Sequence, residues 1–351
     1  RMSEAKENME VSKAEQAIYD RQIRLWGMEA QNKIRNSKVL IIGGKQLGAE
    51  VAKTLSLAGV DEMHLVDHRL VDTEEIGMNF LYDASVDNSK MTKWAASYNF
   101  LYNLNRNVKL FIVEEDVLSK NDSEIEEYLT KFTLVVVLDE SYERTAKVNN
   151  ICRKHHIRFI SGAIYGWIGY AFFDFDGHAY LVKAKSPDCL NEEESETGKT
   201  STVVTVDEEF VLETFSYPSF VETLNSDFTA KKIVRKCKRI VPTSYFLVKS
   251  MLRASSENKL TGVTENDIEK LIPIWNEEVA AGNHTIDMQP VQPDRFDHLF
   301  GPNFGPTAAC VGGVIGQEAI KSISEGKNPL RNLFIYTGFE STGFMCNFPP
   351  V

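Results

Sequence analysis

Residues 39–48 read VLIIGGKQLG: four apolar residues run into Gly43, and the helical pattern AEVAKTLSLAGV follows from Ala49. Asp67 closes the next apolar run, HLVD at 64–67. A strand, a glycine turn, a helix and an acidic residue ending a second strand form the layout of a dinucleotide-type fold. The helix start takes a phosphate and the carboxylate takes a ribose. With Gly43 and Gly48 as the first and third glycines, the second position is Lys45. A small residue there lets backbone lie against a phosphate, whereas a lysine offers charge but fills the approach. The chain reads as a nucleotide-binding fold whose own pocket is altered.

The pattern extends outward from this loop. Ser12 with Glu15 fits a capping box and predicts a helix running to about Asn36, with Ile18, Ile23, Trp26 and Ile34 as its apolar contacts. Leu47, Val51, Leu55 and Ala58 recur at helical spacing, and Gly59 ends that helix. A helix is expected over 90–103, with Trp94, Tyr98 and Leu101 on one face, and Val108, Leu110 and Ile112 alternate as a strand. LVVVLD at 134–139 is an apolar run suited to a central parallel strand. A helix near 146–155 and a strand near 158–161 follow. Strands alternating with helices predict an α/β, doubly wound Rossmann-like sheet. The alternation stops near Val182. Residues 185–202 are polar, acidic and rich in Ser and Thr, the composition of a flexible loop. KKIVRKCKR at 231–239 reads as a solvated basic helix face, with a nuclear-import signal as the minority reading. The apolar pattern resumes in ACVGGVIGQEAIKSI at 309–323, whose Gly312, Gly313 and Gly316 would let a helix pack closely on its neighbour, and two strands close the chain.

The whole sequence has 351 residues, 43% hydrophobic and 25% charged, which suits an ordinary globular chain of one elaborated domain or two. No apolar run approaches the ~18 residues that suggest a membrane span, and the charged N-terminus does not read as a secretory signal. A net charge of −11 argues against a general nucleic-acid binder and leaves room for a partner with a basic face. The cysteines are Cys152, Cys189, Cys237, Cys310 and Cys346. An odd number with no CxxC pair argues against a zinc ribbon or a disulfide framework, and no metal site is expected. Cys152 and Cys310 lie in helical patterns and read as core. Cys189 lies in the polar loop with no histidine or asparagine nearby to mark a nucleophile. His64, His155 and His156 have no ligand spacing.

The segment YDRQIRLWG at 19–27 resembles the N-terminal signature of the ubiquitin-like-protein activating enzymes, which share a fold with the molybdopterin and thiamine adenylyltransferases. The resemblance continues through the glycine loop, the LVD strand end and the ACVGGVIGQEAIK helix. Length, insert position and lack of zinc cysteines are similar to the smaller, non-cysteine subunits of heterodimeric SUMO-activating enzymes. The regulatory subunits of NEDD8-activating enzymes are similar but considerably longer. The resemblance implies an adenylation-type domain from 1–182 and 293–351, interrupted by a mixed insert at 183–292. It further implies a larger partner subunit that carries the reactive cysteine and Mg-ATP, SUMO as the modifier, indirect traffic with a conjugating enzyme, and a nuclear as well as cytoplasmic location.

Carried over residue by residue, the resemblance makes Gly43, Gly48, Asp67 and Lys90 the remnants of a nucleotide pocket. An arginine that holds phosphate in active members falls near Met78-Asn79 and is missing, and an aspartate that helps hold magnesium falls at Glu140. Arg21 takes the place of a finger that reaches across the dimer to the partner's ATP. These departures imply a catalytically silent half that supplies Arg21 in trans. Two other readings stay open on the residues alone: a self-sufficient homodimeric adenylyltransferase that tolerates Lys45, and an NAD-linked oxidoreductase using Gly43, Gly48 and Asp67.

Overall fold

The computed structural model describes residues 11–175, 177, 179–183, 203–207, 210–214, 216–226, 243–256, 265–282, 298–299, 303–325 and 328–348. The loop at 185–202, the basic run at 231–239, Cys189 and Cys237 lie outside the described residues.

Three short helices, α1 (Lys13–Ile18), α2 (Asp20–Trp26) and α3 (Met28–Arg35), lead into strand β1 (Lys38–Ile42). Then α4 (Gln46–Ala58), β2 (Glu62–Val66), α5 (Lys93–Leu104), β3 (Lys109–Val113), α6 (Asp122–Leu129), β4 (Leu134–Leu138), α7 (Tyr142–Lys154), β5 (Arg158–Tyr165) and β6 (Ile168–Asp174) follow. Strands β7 (Ala179–Lys183), β8 (Val203–Asp207) and β9 (Phe210–Thr214) make a separate antiparallel sheet. Helices α8 (Phe220–Leu224), α9 (Thr243–Ser256), α10 (Glu265–Gly282) and α11 (Gly305–Ser324) precede the last strands, β10 (Leu333–Thr337) and β11 (Thr342–Cys346).

The main sheet has eight strands in the order β11-β10-β6-β5-β4-β1-β2-β3. The five from β5 to β3 are parallel, and β6, β10 and β11 add antiparallel pairings. This is the expected α/β architecture, with β4 buried at every position. Alternation along a strand sends neighbours to opposite faces, and two cores result. Leu40, Ile42, Val135 and Val137 belong to the core that includes Cys152 of α7, Phe246 of α9 and Trp275 of α10. Val39, Ile41, Leu134, Val136 and Leu138 belong to the other, with Leu55 of α4, Trp94 of α5 and Ile315 of α11.

Several expectations need correction. The N-terminal helix is broken into three. Tyr19 caps α1, and Gly27, at φ +90°, separates α2 from α3. Ser12 does form the capping box with Glu15, but Ile18 is 63% exposed and makes no core contact of the kind expected. α5 starts at Lys93 rather than Lys90, and Tyr98 faces outward while Trp94 and Leu101 are buried. Cys310 is exposed on α11, whereas Cys152 is buried and burial pushes its thiol well above the ordinary range.

Helix α11 lies against α4 through two of its three central glycines. A Cβ at Gly312 would sit 2.5 Å from Glu50 Cβ, and one at Gly316 2.5 Å from Thr54 Cγ2, whereas one at Gly313 meets nothing within 4 Å. Gly312→Ala should therefore force the helices apart and lower stability by about 1–3 kcal/mol. Gly313→Ala, on the exposed side, should raise it by up to about 1 kcal/mol. Urea titrations of the two variants check the opposite signs.

Candidate functional site

Chain order reverses between β1 and β4, so a crevice opens beyond the carboxyl ends of β1, β2 and β4, the place where open α/β sheets bind ligands. The glycine loop forms its floor and needs its glycines. Gly43 has φ +105°, and a Cβ on it would lie 2.2 Å from the Leu138 carbonyl oxygen. One on Gly48 would lie 2.2 Å from the Gly43 carbonyl oxygen, and one on Gly44 2.8 Å from Lys93 Cβ. Lys45 is the N-cap residue of α4 and makes no side-chain cap.

Asp67, just past β2, has a side chain with no exposed surface. Its Oδ2 accepts from the Gly44 amide at 2.8 Å and from Arg69 Nη2 at 2.9 Å. Its Oδ1 accepts from the Arg69 amide at 3.0 Å and from Arg69 Nε at 2.8 Å. Burial works to raise the Asp67 carboxyl, but the bonds and charge of Arg69 with the Gly44 amide outweigh it and hold the group below the ordinary carboxylate range. Arg69 also lies 3.3 Å from Glu140, which sits 3.4 Å from Arg144, and Arg144 in turn pairs with Asp116. An ion-pair chain of alternating sign thus runs from Asp67 across the crevice to the start of α7.

Asp139 follows β4 at φ +53°, half-buried as a residue but with its Oδ2 atom out of contact with solvent. Its Oδ1 accepts from the Ile164 amide at 3.1 Å, while Oδ2 has no hydrogen-bond partner. Burial raises its carboxyl above the ordinary range, against the charge of Lys45 and the Ile164 amide. On the far side of the loop, Lys93 has no exposed side-chain surface and pairs with Asp72 at 3.1 Å and with Glu75. Tyr82 Oη donates to the Gly44 carbonyl at 3.5 Å.

The structure thus brings Gly43, Gly48 and Asp67 together. It leaves Lys90 exposed, three residues before α5, and sets Lys93 beside the loop instead. Glu140 is engaged by two arginines. Met78 is 38% exposed, and the buried Asn79 caps its own turn by accepting from the Leu81 amide at 3.1 Å. Arg69, Lys93, Asp139 and Tyr82 escaped the sequence reading. The "LVD" and "LVVVLD" strand ends were the signals for the acids, and nothing local marked the cations. Among the described residues no three His, Cys, Asp or Glu side chains are placed to hold a metal ion.

A nucleotide does not fit this arrangement. Both oxygens of Asp67, the ribose acceptor of such folds, already accept two hydrogen bonds each, and Lys45 stands at the position where a phosphate needs bare backbone.

Arg21 lies elsewhere, exposed on α2. Its segment is anchored by its neighbours. Tyr19 is 1% exposed and its Oη accepts from Asn105 Nδ2 at 2.9 Å, and Gln22 Nε2 donates to the Leu57 carbonyl at 2.9 Å. Arg24 pairs with Asp20 at 2.9 Å, but among the described residues Arg21 has no ion-pair partner.

The sheet order and the glycine-loop crevice define an adenylation-type α/β protein of the ThiF family, whose profile matches residues 19–350. An Escherichia coli MccB structure solved with succinimide superposes with a TM-score of 0.53 at 13% identity, covering 94% of this chain and 71% of that one, a likeness of fold. The SUMO-activating enzyme subunit 1 of Xenopus tropicalis is 32% identical over 97% of each chain. That of Danio rerio is 32% identical over 98% of this chain and 97% of its own, and that of Homo sapiens is 30% identical over 95% of each. Within the ThiF family, the chain belongs to the SUMO-activating enzyme subunit 1 family. These matches do not favour the homodimeric, NEDD8 or oxidoreductase readings.

Asp139→Asn keeps an oxygen for the Ile164 amide, suits a left-handed φ, and removes the buried ionisable group. The native carboxyl is raised above its unfolded value of about 3.9. The wild type therefore loses stability as pH rises from there through the native value. The melting-temperature advantage of Asp139→Asn should be smallest at or below about pH 4 and grow as pH rises, levelling off only once the native carboxyl is fully ionised. A difference independent of pH in thermal melts would refute this account.

Proposed function

We propose that this chain is the non-catalytic but required half of a SUMO-activating heterodimer. Its larger partner binds Mg-ATP, adenylates the C-terminal glycine of the modifier, takes it as a thioester and hands it to a conjugating enzyme. The observation that carries this reading is the contrast between two sites on one chain. The crevice has its acceptors filled by its own arginine, while Arg21 is exposed, without an ion-pair partner among the described residues, and firmly based.

The surroundings of Arg21 support a contact surface. Arg21 and Leu25 lie one turn apart on α2 and Ile18 ends α1 just before it, and Ile18 and Leu25 are 63% and 65% exposed. An arginine flanked by two bare aliphatic side chains suits a protein interface, where the aliphatics exclude water around the guanidinium. When a carboxylate displaces pyrophosphate from ATP, negative charge grows on the leaving group. A guanidinium brought in by the partner's neighbour offers fixed donors to that charge. We assign this role to Arg21, and a nuclear location with it.

ATP–pyrophosphate exchange driven by a SUMO-like protein tests the division of labour. It is expected with both subunits together and with neither alone. Exchange by this chain alone would overturn the proposal. With the partner at saturation, Arg21→Ala should slow adenylate formation by ~10²–10³, the cost of one lost charge-stabilising donor, and Arg24→Ala should leave it nearly unchanged. Normal rates for Arg21→Ala would remove Arg21 from the reaction.

The double variant Ile18→Glu/Leu25→Glu should fold normally, since both side chains are exposed, yet weaken subunit association by about tenfold or more, each burying apolar area worth 1–2 kcal/mol. Sedimentation velocity over a concentration series reads this directly.

A further inference from the structure

We infer that Arg69 is an internal occupant of the nucleoside subsite, a built-in lock that keeps adenine nucleosides off Asp67 in this half of the enzyme. The inference rests on the proposed silent half and deepens it: the crevice is filled as well as altered.

The geometry is that of a ligand held by its receptor. The guanidinium gives Asp67 two hydrogen bonds through Nε and Nη2, at 2.8 and 2.9 Å, the planar fork that matches a carboxylate. A ribose needs the same oxygens for its hydroxyls. Nη1 reaches the Asp139 carbonyl at 3.5 Å and Nη2 lies 3.3 Å from Glu140, so the arginine spans the crevice from the end of β2 to the end of β4. Glu140 is held in turn by Arg144, which is braced on Asp116. Its backbone is tied as well, because the Arg69 amide donates to Asp67 and its carbonyl accepts from the Lys93 amide at 3.2 Å. A ribose hydroxyl entering here must break a bidentate charged pair around a carboxylate with no exposed surface, and it brings no charge to replace it.

Adenosine is the discriminating probe, because without phosphates it does not meet Lys45. Calorimetric titration of the full chain with adenosine should show no binding for the wild type at millimolar ligand. Arg69→Ala should bind about tenfold or more tighter than the wild type, the ratio that one regained hydrogen bond to a charged group supplies. Arg69→Gln, which keeps a neutral donor over Asp67, should fall between the two and serves if the alanine variant is unstable. On the wild type itself, the Arg69 Nε–H proton should exchange slowly with water and keep its NMR shift when ATP is added. Equal adenosine binding by wild type and variants, no binding by a folded Arg69→Ala, or an ATP-dependent shift of the Nε–H would each overturn the lock. Equal binding without pyrophosphate exchange would remove the lock and leave the silent half standing. Binding with exchange by this chain alone would remove both.

Discussion

A carboxylate with no exposed surface, at the carboxyl edge of a parallel sheet, governs how this end of the molecule is built. An ionised group buried without partners is prohibitively costly, so Asp67 must be neutralised and fully hydrogen-bonded. In a working nucleotide pocket, ribose hydroxyls and ordered solvent share that task with the backbone. Here the chain does it alone, through the Gly44 amide and three donors of Arg69. Once Arg69 is committed, Glu140 and Arg144 follow, because each charge drawn into the crevice needs the next. The fold has kept the acid that defines the pocket and changed what answers it.

The glycine loop persists for a related reason. Gly43 and Gly48 are required by the close passage of Leu138 and of the loop on itself, with no nucleotide invoked. Backbone packing alone is enough to hold these positions to glycine. Lys45, which faces outward from that packing, is under no such constraint. Its charge works to lower the raised carboxyl of Asp139. A glycine fingerprint is thus sound testimony about fold and weak testimony about ligand.

That distinction explains what could be read from the sequence. β1, α4, β2 and β4 were legible because apolar periodicity is dictated by the core and glycine ends by backbone geometry. The two faces of β4 show the pattern at full strength. The crevice was half legible. Asp67 announced itself at a strand end, but its partner Arg69, two residues on, looks like any surface arginine until the chain turns back over the carboxylate. Lys90 was named on the resemblance alone; it lies exposed ahead of α5, whereas Lys93, at the start of that helix, is the buried lysine beside the loop. No local signal separates two lysines in one turn-like segment when only one is buried against Gly44 and its acids. The breaks at Tyr19 and Gly27 were not legible, because α2 buries no residue whose spacing would have marked where it begins and ends.

The same logic explains why an arginine could be surrendered in one place and displayed in another. Gln22 ties α2 to Leu57 near the end of α4 and Tyr19, buried, bonds to Asn105 after α5, so α2 is placed by contacts that do not involve Arg21 itself. Among the described residues its guanidinium has no ion-pair partner, whereas Arg24, one turn away, is tied to Asp20. An arginine meant for a second protein must be positioned without being satisfied, since any salt bridge made at home is subtracted from what it can give abroad. Arg69 is the opposite solution, engaged by Asp67, Glu140 and the Asp139 carbonyl of its own chain. Under the proposed role of Arg21 one chain holds both, and the role of each follows from what its neighbours leave it free to do.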